Sequence, residues 1–247
     1  MSFNQLKVED IEKIFLKIYE NACELVDEAE LLYNYQKYSR AYLCAHIAFE
    51  EFGKLPMLNT VALNVYNGIK TDWKQLNKRI RDHKRKISQS YGTVMFLDNV
   101  IKKYNAKYEN DTPIEFKASK DDIDLNWLYV FKEFLEKEIV IDPLEWQEYF
   151  KSLDVQEEIK QKYSMTMLLN EYKNGSLYAD FDEGKFKKPN EKIDKQTCEY
   201  GISLAYMQKK FIEAPNFHKN GFYLYKFNNK HNERLKVMTE KYEQFSK

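Results

Sequence analysis

Glycine, proline and cysteine are scarce in this chain of 247 residues, which contains seven Gly, five Pro and three Cys. Few turn signals therefore interrupt the sequence, as is typical of proteins built from long helices. Cys23, Cys44 and Cys198 are odd in number and widely separated, without a CxxC pair, so neither a disulfide framework nor a zinc site is indicated. We expect small buried thiols, no metal ion and no cofactor.

The chain also lacks net charge and long apolar runs. Its formal charge is zero, which removes any argument for nucleic-acid binding from global charge. No stretch approaches the roughly 18 consecutive apolar residues of a membrane span, and no apolar run follows a basic segment at the start. With 43% hydrophobic and 32% charged residues, we expect a cytoplasmic protein with no membrane association, folded as one helical domain over residues 1–247.

Apolar residues recur at helical spacing along most of the sequence, which predicts an all-α fold. The longest irregular stretch is expected at 173–193. Ser39 is the expected N-cap of the second helix, and Pro56 is expected to kink or break that helix. The predicted helices cover 6–35, 39–66, about 71–90, 121–138, 143–172, 192–212 and 229–245.

The segment "RAYLCAHIAFEEFGK", residues 40–54, places many ionisable groups on one predicted helix. At about 100° per residue, its charged side chains fall within an arc of about 140°. Leu43 and Ile47 lie in the middle of this arc, which indicates a partly buried groove or a subunit interface rather than a face made only for water. The stripe consists of Arg40, Leu43, His46, Ile47, Glu50, Glu51 and Lys54.

The segment "KRIRDHKRK", residues 78–86, is a local basic patch with six Lys or Arg and one Asp. Because guanidinium binds phosphate bidentately, this patch is a candidate RNA-binding surface. His83 falls inside an apolar stripe of the same predicted helix. It is therefore either a hydrogen-bonded core residue or a site residue, with Glu50 or Glu51 as its natural partner. The candidate RNA-binding residues are Arg79, Arg81, Lys84 and Lys86.

Several kinds of site are excluded by spacing. No Glu-x-x-His occurs, as a di-iron bundle would require, and no GxGxxG or GxxxxGK phosphate loop is present. Cys44 and His46 would point to different faces of a helix and make a poor nucleophile pair.

These segments resemble the AbiV family of bacterial abortive-infection proteins, within the HEPN class of helical domains. The resemblance rests on "RAYLCAHIAFEEFGK", on Trp73 followed by "RIRDHKRK", and on "GSLYADF" followed by Pro189. It implies a HEPN-like helical bundle with additional C-terminal helices, usually a homodimer, which acts in antiviral defence by halting an infected cell.

Many HEPN proteins are metal-independent ribonucleases whose site is an Arg followed, after four to six residues, by a His. The resemblance therefore implies catalysis by Arg40 and His46, which have five residues between them, although HEPN nucleases generally carry this motif on a later helix. His83, with three residues between it and Arg79, stays a second candidate. Glu50, Glu51 and Lys54 are expected to order the site.

Two functions remain open at this point. The first is an endoribonuclease that cuts RNA and blocks translation once a phage-encoded activator protein appears. The alternative is a non-catalytic HEPN interaction protein that binds a phage or host protein, in which case the polar stripe is only a dimer seam.

Overall fold

A computed structural model describes residues 6–92, 155–182 and 184–213, with residues 219, 221, 222, 224 and 226. The described elements are almost all helical, so the all-α prediction is confirmed. Predicted helices at 121–138 and 229–245, and the part of 143–172 before residue 155, lie outside the described residues. The helices are α1 Val8–Asn34, α2 Tyr38–Phe52, α3 Lys54–Tyr66, α4 Trp73–Arg81, α5 83–92, α6 Val155–Leu177, α7 Pro189–Lys192 and α8 Lys195–Glu213.

Helix α1 forms where the sequence predicts it, and it buries one stripe of apolar residues. Ile11, Phe15 and Val26 are buried at helical spacing. After the helix, Gln36 has a left-handed backbone with φ of 57°. The Lys37 amide donates to the Leu32 carbonyl at 2.9 Å, which closes the helix end and turns the chain into α2.

Helix α2 is the centre of the fold, because α1, α6 and α8 all pack against it. Nine of its fifteen residues are buried. Ala41, Ala45 and Ala48 are fully buried, and such small side chains let neighbouring helices approach closely. The Tyr42 ring lies against Gly201 of α8, where a Cβ atom would come within 2.6 Å of the ring. A helix buried on several faces differs from the one-sided polar stripe that the sequence predicts.

The second predicted helix is divided into α2 and α3 at Gly53. Pro56 explains the break, because its ring would clash with the carbonyl of Phe52 in a continuous helix, whereas Pro is tolerated in the first turn of α3. The helix begins at Tyr38 rather than after Ser39, which is buried inside its first turn; the expected N-cap is therefore wrong. Helix α3 ends at the Asn67–Gly68 turn, as the sequence predicts.

The third predicted helix is interrupted at Asp82, and this division is a correction to the continuous helix expected over 71–90. Asp72 caps α4 by accepting the Gln75 amide at 2.8 Å. Asp82 does the same for α5 by accepting the Arg85 amide at 3.2 Å. Since Asp82 has extended backbone geometry, the residues of α5 no longer continue the faces of α4.

Helix α5 is fixed against α2 and α8 by buried hydrogen bonds. The Ser90 hydroxyl donates to the Phe49 carbonyl at 2.6 Å, and Gln208 Nε2 donates to the Ser90 carbonyl at 2.6 Å. Gly53 allows the close approach: an added Cβ would lie 2.4 Å from Ser90 Oγ and 2.6 Å from the Lys86 carbonyl oxygen. The position of α5 is therefore set by backbone contact.

A small antiparallel hairpin follows α6, in the stretch expected to be irregular. Strand β1, Asp180–Asp182, pairs with β2, Lys185–Lys187, and Phe181 lies opposite Phe186. Helix α7 and the cap of α8 by Asp194, which accepts the Thr197 amide at 2.7 Å, complete the connection. None of the described helices is both long and apolar enough to cross a bilayer.

Candidate functional site

A buried carboxylate, that of Glu50 on α2, is surrounded by nitrogen atoms from three helices. Oε2 lies 2.7 Å from His83 Nδ1 and 2.7 Å from Lys86 Nζ. Oε1 lies 3.2 Å from His46 Nε2 and 3.6 Å from Lys173 Nζ. We call these five residues, His46, Glu50, His83, Lys86 and Lys173, the Glu50 cluster.

Helical spacing explains how the cluster is assembled. His46 and Glu50 are one turn apart on α2, so their side chains share a face. His83 and Lys86 are three residues apart on α5 and also share a face. Lys173 comes from α6, which packs against α2. Three helices thus converge on one carboxylate, and burial of Glu50 is compensated by opposite charge.

The electrostatics of the cluster favour an ionised Glu50. Burial alone would raise the pKa of its carboxyl, but the contacts with His46 and Lys86 outweigh burial and hold the pKa well below its usual range. Burial lowers the pKa of His46, and the neighbouring Glu50 offsets this only in part. At neutral pH Glu50 is therefore a carboxylate and His46 a neutral imidazole.

His83 is the member of the cluster that faces solvent, with 60% of its side chain exposed. The expectation that it lies in an apolar stripe is wrong, because the break at Asp82 turns α5 relative to α4. Of the two expected partners, Glu50 and Glu51, it is Glu50 that contacts His83 Nδ1. An ionised carboxylate can only accept, so Nδ1 is the donor in this contact, and in the neutral form of the ring Nε2 carries the lone pair.

His46 has the opposite environment from the one expected on the polar stripe, since it is only 3% exposed. Its ring lies beside the Tyr42 ring, with centroids 5.9 Å apart. Although Nε2 lies near Glu50, the two atoms are poorly aligned, and Nε2 has no hydrogen-bond partner among the described residues. Arg40 is exposed at the start of α2, whereas His46 is buried. The structure does not bring Arg40 and His46 together.

Comparison with known families agrees with this architecture. A sequence model of the HEPN family AbiV matches residues 10–209, which is most of the chain and includes the whole Glu50 cluster. The chain belongs to the AbiV family. No curated protein and no solved structure gave a significant match. Membership of the AbiV family suggests a role in abortive-infection defence.

The basic patch of this AbiV-family chain is divided by the fold into an exposed and a buried part. Arg79, Arg81, Lys84 and Arg85 are exposed around the break between α4 and α5. Lys86 does not belong to this surface, because its side chain is 7% exposed and contacts Glu50. Lys86 therefore belongs to the Glu50 cluster and not to the exposed surface that the sequence predicts to bind RNA.

The remaining residues of the predicted stripe lie along the less buried edge of α2 and at the start of α3. Glu51 and Lys54 pair with each other at 2.5 Å, and Leu43 and Ile47 are half-buried. Of the three residues expected to support the site, only Glu50 belongs to the Glu50 cluster. The subunit contact expected at Leu43 and Ile47 stays a prediction.

Two components of the site were not predicted from sequence. Lys173 is one of many lysines and lies far along the chain from Glu50, so no local pattern identifies it. Gly53 was visible in the "EEFGK" motif, and the tight contact of α5 explains why glycine stands there. The described residues contain no group of three or more His, Cys, Asp or Glu side chains arranged to hold a metal ion.

Proposed function

We propose that this AbiV-family protein acts in abortive infection as a metal-independent endoribonuclease in which His83 exchanges a proton with RNA. One observation carries the proposal: an exposed imidazole is held through Nδ1, at 2.7 Å, by a buried carboxylate. Such an arrangement fixes the tautomer and the orientation of a general base. His46 is too buried for direct contact with a polynucleotide and supports Glu50 instead.

The reaction assigned to His83 is cleavage by the neighbouring hydroxyl of RNA. Nε2 accepts the proton of the 2′-hydroxyl, the 2′-oxygen attacks phosphorus, and the bond from phosphorus to the 5′-oxygen breaks. A protonated His83 from a second copy donates a proton to the departing 5′-oxygen. The products are a 2′,3′-cyclic phosphate and a 5′-hydroxyl, and no metal ion enters the balance.

The exposed arginines supply the cationic surface that the proposal requires. Arg79, Arg81 and Lys84 lie next to His83 along the chain and are solvent-exposed, so they are available for phosphate contacts. Leu43 and Ile47 form the proposed homodimer contact, with Arg40 beside them. A phage-encoded protein is the proposed activator, and the cytoplasm is the proposed compartment.

The test is cleavage of end-labelled RNA in EDTA, with and without lysate from phage-infected cells, followed by analysis of the new RNA ends. Wild type is expected to give cyclic phosphate ends, while His83→Ala and Glu50→Gln lose at least about 100-fold in rate. Arg40→Ala is the control, expected to retain cleavage. If Arg40→Ala loses cleavage and His83→Ala retains it, the assignment of catalysis to His83 is refuted and Arg40 is the better candidate.

The same variants separate the nuclease from an interaction protein. Phage protection in cells is measured beside cleavage, and folding is checked by circular dichroism. If wild-type protein cuts no RNA under any condition and His83→Ala still protects cells, the nuclease proposal is refuted and an interaction protein is the better explanation.

A further inference from the structure

Two lysines share the Glu50 carboxylate with His83. Lys86 Nζ lies 2.7 Å from the same oxygen, Oε2, that holds His83 Nδ1. Lys173 Nζ approaches the other oxygen at 3.6 Å. Both lysines are shielded from solvent, with 7% and 15% of their side chains exposed. One buried carboxylate is thus matched by two ammonium groups.

The charges that contact this carboxylate come from three helices. Helix α2 contributes His46, α5 contributes His83 and Lys86, and α6 contributes Lys173. Arg79, Asp82, Lys84 and Arg85 flank His83 along the chain, but they are in or near solvent, where water and salt screen their charge. The two shielded lysines therefore exert the stronger influence on Glu50 and, through it, on His83.

We propose that Lys86 and Lys173 are positioning residues that neutralise Glu50 and thereby set the pH at which His83 exchanges its proton. A carboxylate without this compensation would bind the imidazolium form tightly, and a histidine held protonated at neutral pH cannot act as a base. With the two ammonium groups in place, Glu50 orients His83 without trapping its proton. This inference rests on the proposed function, in which His83 exchanges that proton with RNA.

The direct test is an NMR pH titration of the histidine ring carbons in full-length protein, with the His83 signal assigned from its absence in His83→Gln. Lys86→Met and Lys173→Met each remove one charge at similar side-chain length. Each variant should move the titration midpoint of His83 to higher pH by about one pH unit. Lys86→Arg, which keeps the charge, should restore the wild-type midpoint.

Lys84→Met is the matched control, because it removes the same charge from an exposed position next to His83. Its midpoint should stay at the wild-type value. Unchanged or lowered midpoints in Lys86→Met and Lys173→Met would overturn the proposal. If Lys86→Met does not fold, Lys173→Met decides the question, because this lysine is less buried and farther from the carboxylate.

Cleavage provides an independent measurement. The acidic limb of the pH profile of kcat/KM should move to higher pH in both variants by the same amount as the NMR midpoint. A merely structural lysine would lower kcat/KM at every pH without moving the limb. If wild-type protein cleaves no RNA, the proposed function fails, but the NMR midpoints still decide whether the lysines control His83.

Discussion

Gly53→Ala is the substitution whose effect on stability follows most directly from the structure. Gly53 has φ of −62° and ψ of −18°, a backbone that alanine adopts without strain. The obstacle is steric, because the new Cβ would lie 2.4 Å from Ser90 Oγ and 2.6 Å from the Lys86 carbonyl oxygen. The second of these atoms is backbone, so α5 itself must move away from the junction of α2 and α3.

Three contributions set the magnitude. Overpacking costs about 1 to 3 kcal/mol. Displacement of Ser90 breaks its 2.6 Å hydrogen bond to the Phe49 carbonyl, which costs about 1 kcal/mol. Alanine offsets about 1 kcal/mol through its better helix propensity and its smaller loss of entropy on folding. The free energy of unfolding should therefore fall by about 1 to 3 kcal/mol.

Urea denaturation followed by circular dichroism measures this change, and Gly175→Ala is the matched control. Gly175 lies inside α6, where an added Cβ would meet only the Lys192 side chain, at 3.5 Å from Cδ and 3.9 Å from Cβ, which are ordinary contacts. The control should be neutral or stabilised by up to about 1 kcal/mol. If Gly53→Ala is as stable as Gly175→Ala, the tight contact between Gly53 and α5 is refuted.

Four other substitutions test the structure, three of them in the Glu50 cluster and one at the proposed dimer contact. His46→Ala should lower the free energy of unfolding by about 1 to 3 kcal/mol, because His46 is buried. His83 is exposed, so His83→Ala should change this free energy by less than about 1 kcal/mol. Urea denaturation of both variants measures which of the two loses more stability. Folding depresses the pKa of Glu50, so its stabilisation is present above the pKa of unfolded Glu, about 4.3, and is lost as pH falls. Glu50→Gln should therefore weaken the acid dependence of the urea midpoint, and an unchanged slope would contradict this assignment. Leu43→Glu should convert a dimer to monomers in light scattering; an unchanged mass would exclude this edge as the interface.

Much of the fold could be predicted from the sequence, because helical periodicity and capping residues are local signals. The bounds of α1 and α8 lie within a few residues of those predicted. The break at Asp82 was not predicted, although Asp82 caps α5 in the same way that Asp72, ten residues earlier, caps α4. A basic run with helical spacing concealed it, since periodicity alone does not reveal a single extended residue.

The site was only partly predictable, because a helical wheel assigns all polar residues of a helix to one solvent-exposed face. Helix α2 has packed neighbours around most of its circumference, so its polar residues are divided between solvent and a buried ionic cluster. Periodicity groups Arg40 with His46, whereas the structure exposes the first and buries the second. A contact of His83 with Glu50 or Glu51 was predicted from charge alone, whereas the contact of Lys173 with Glu50 depends on the position of α6.

The spacing of residues on α2 and α5 connects the packing of these helices to the chemistry of the cluster. Glu50 and Gly53 are three residues apart, so the face that carries the carboxylate is also the face that lacks a side chain. On α5, His83, Lys86 and Ser90 share one face, and Ser90 reaches Gly53 while the other two reach Glu50. A side chain at position 53 would therefore push away the helix that delivers both nitrogen atoms to Glu50. Gly53→Ala should weaken the contact between His83 and Glu50 even where the protein still folds.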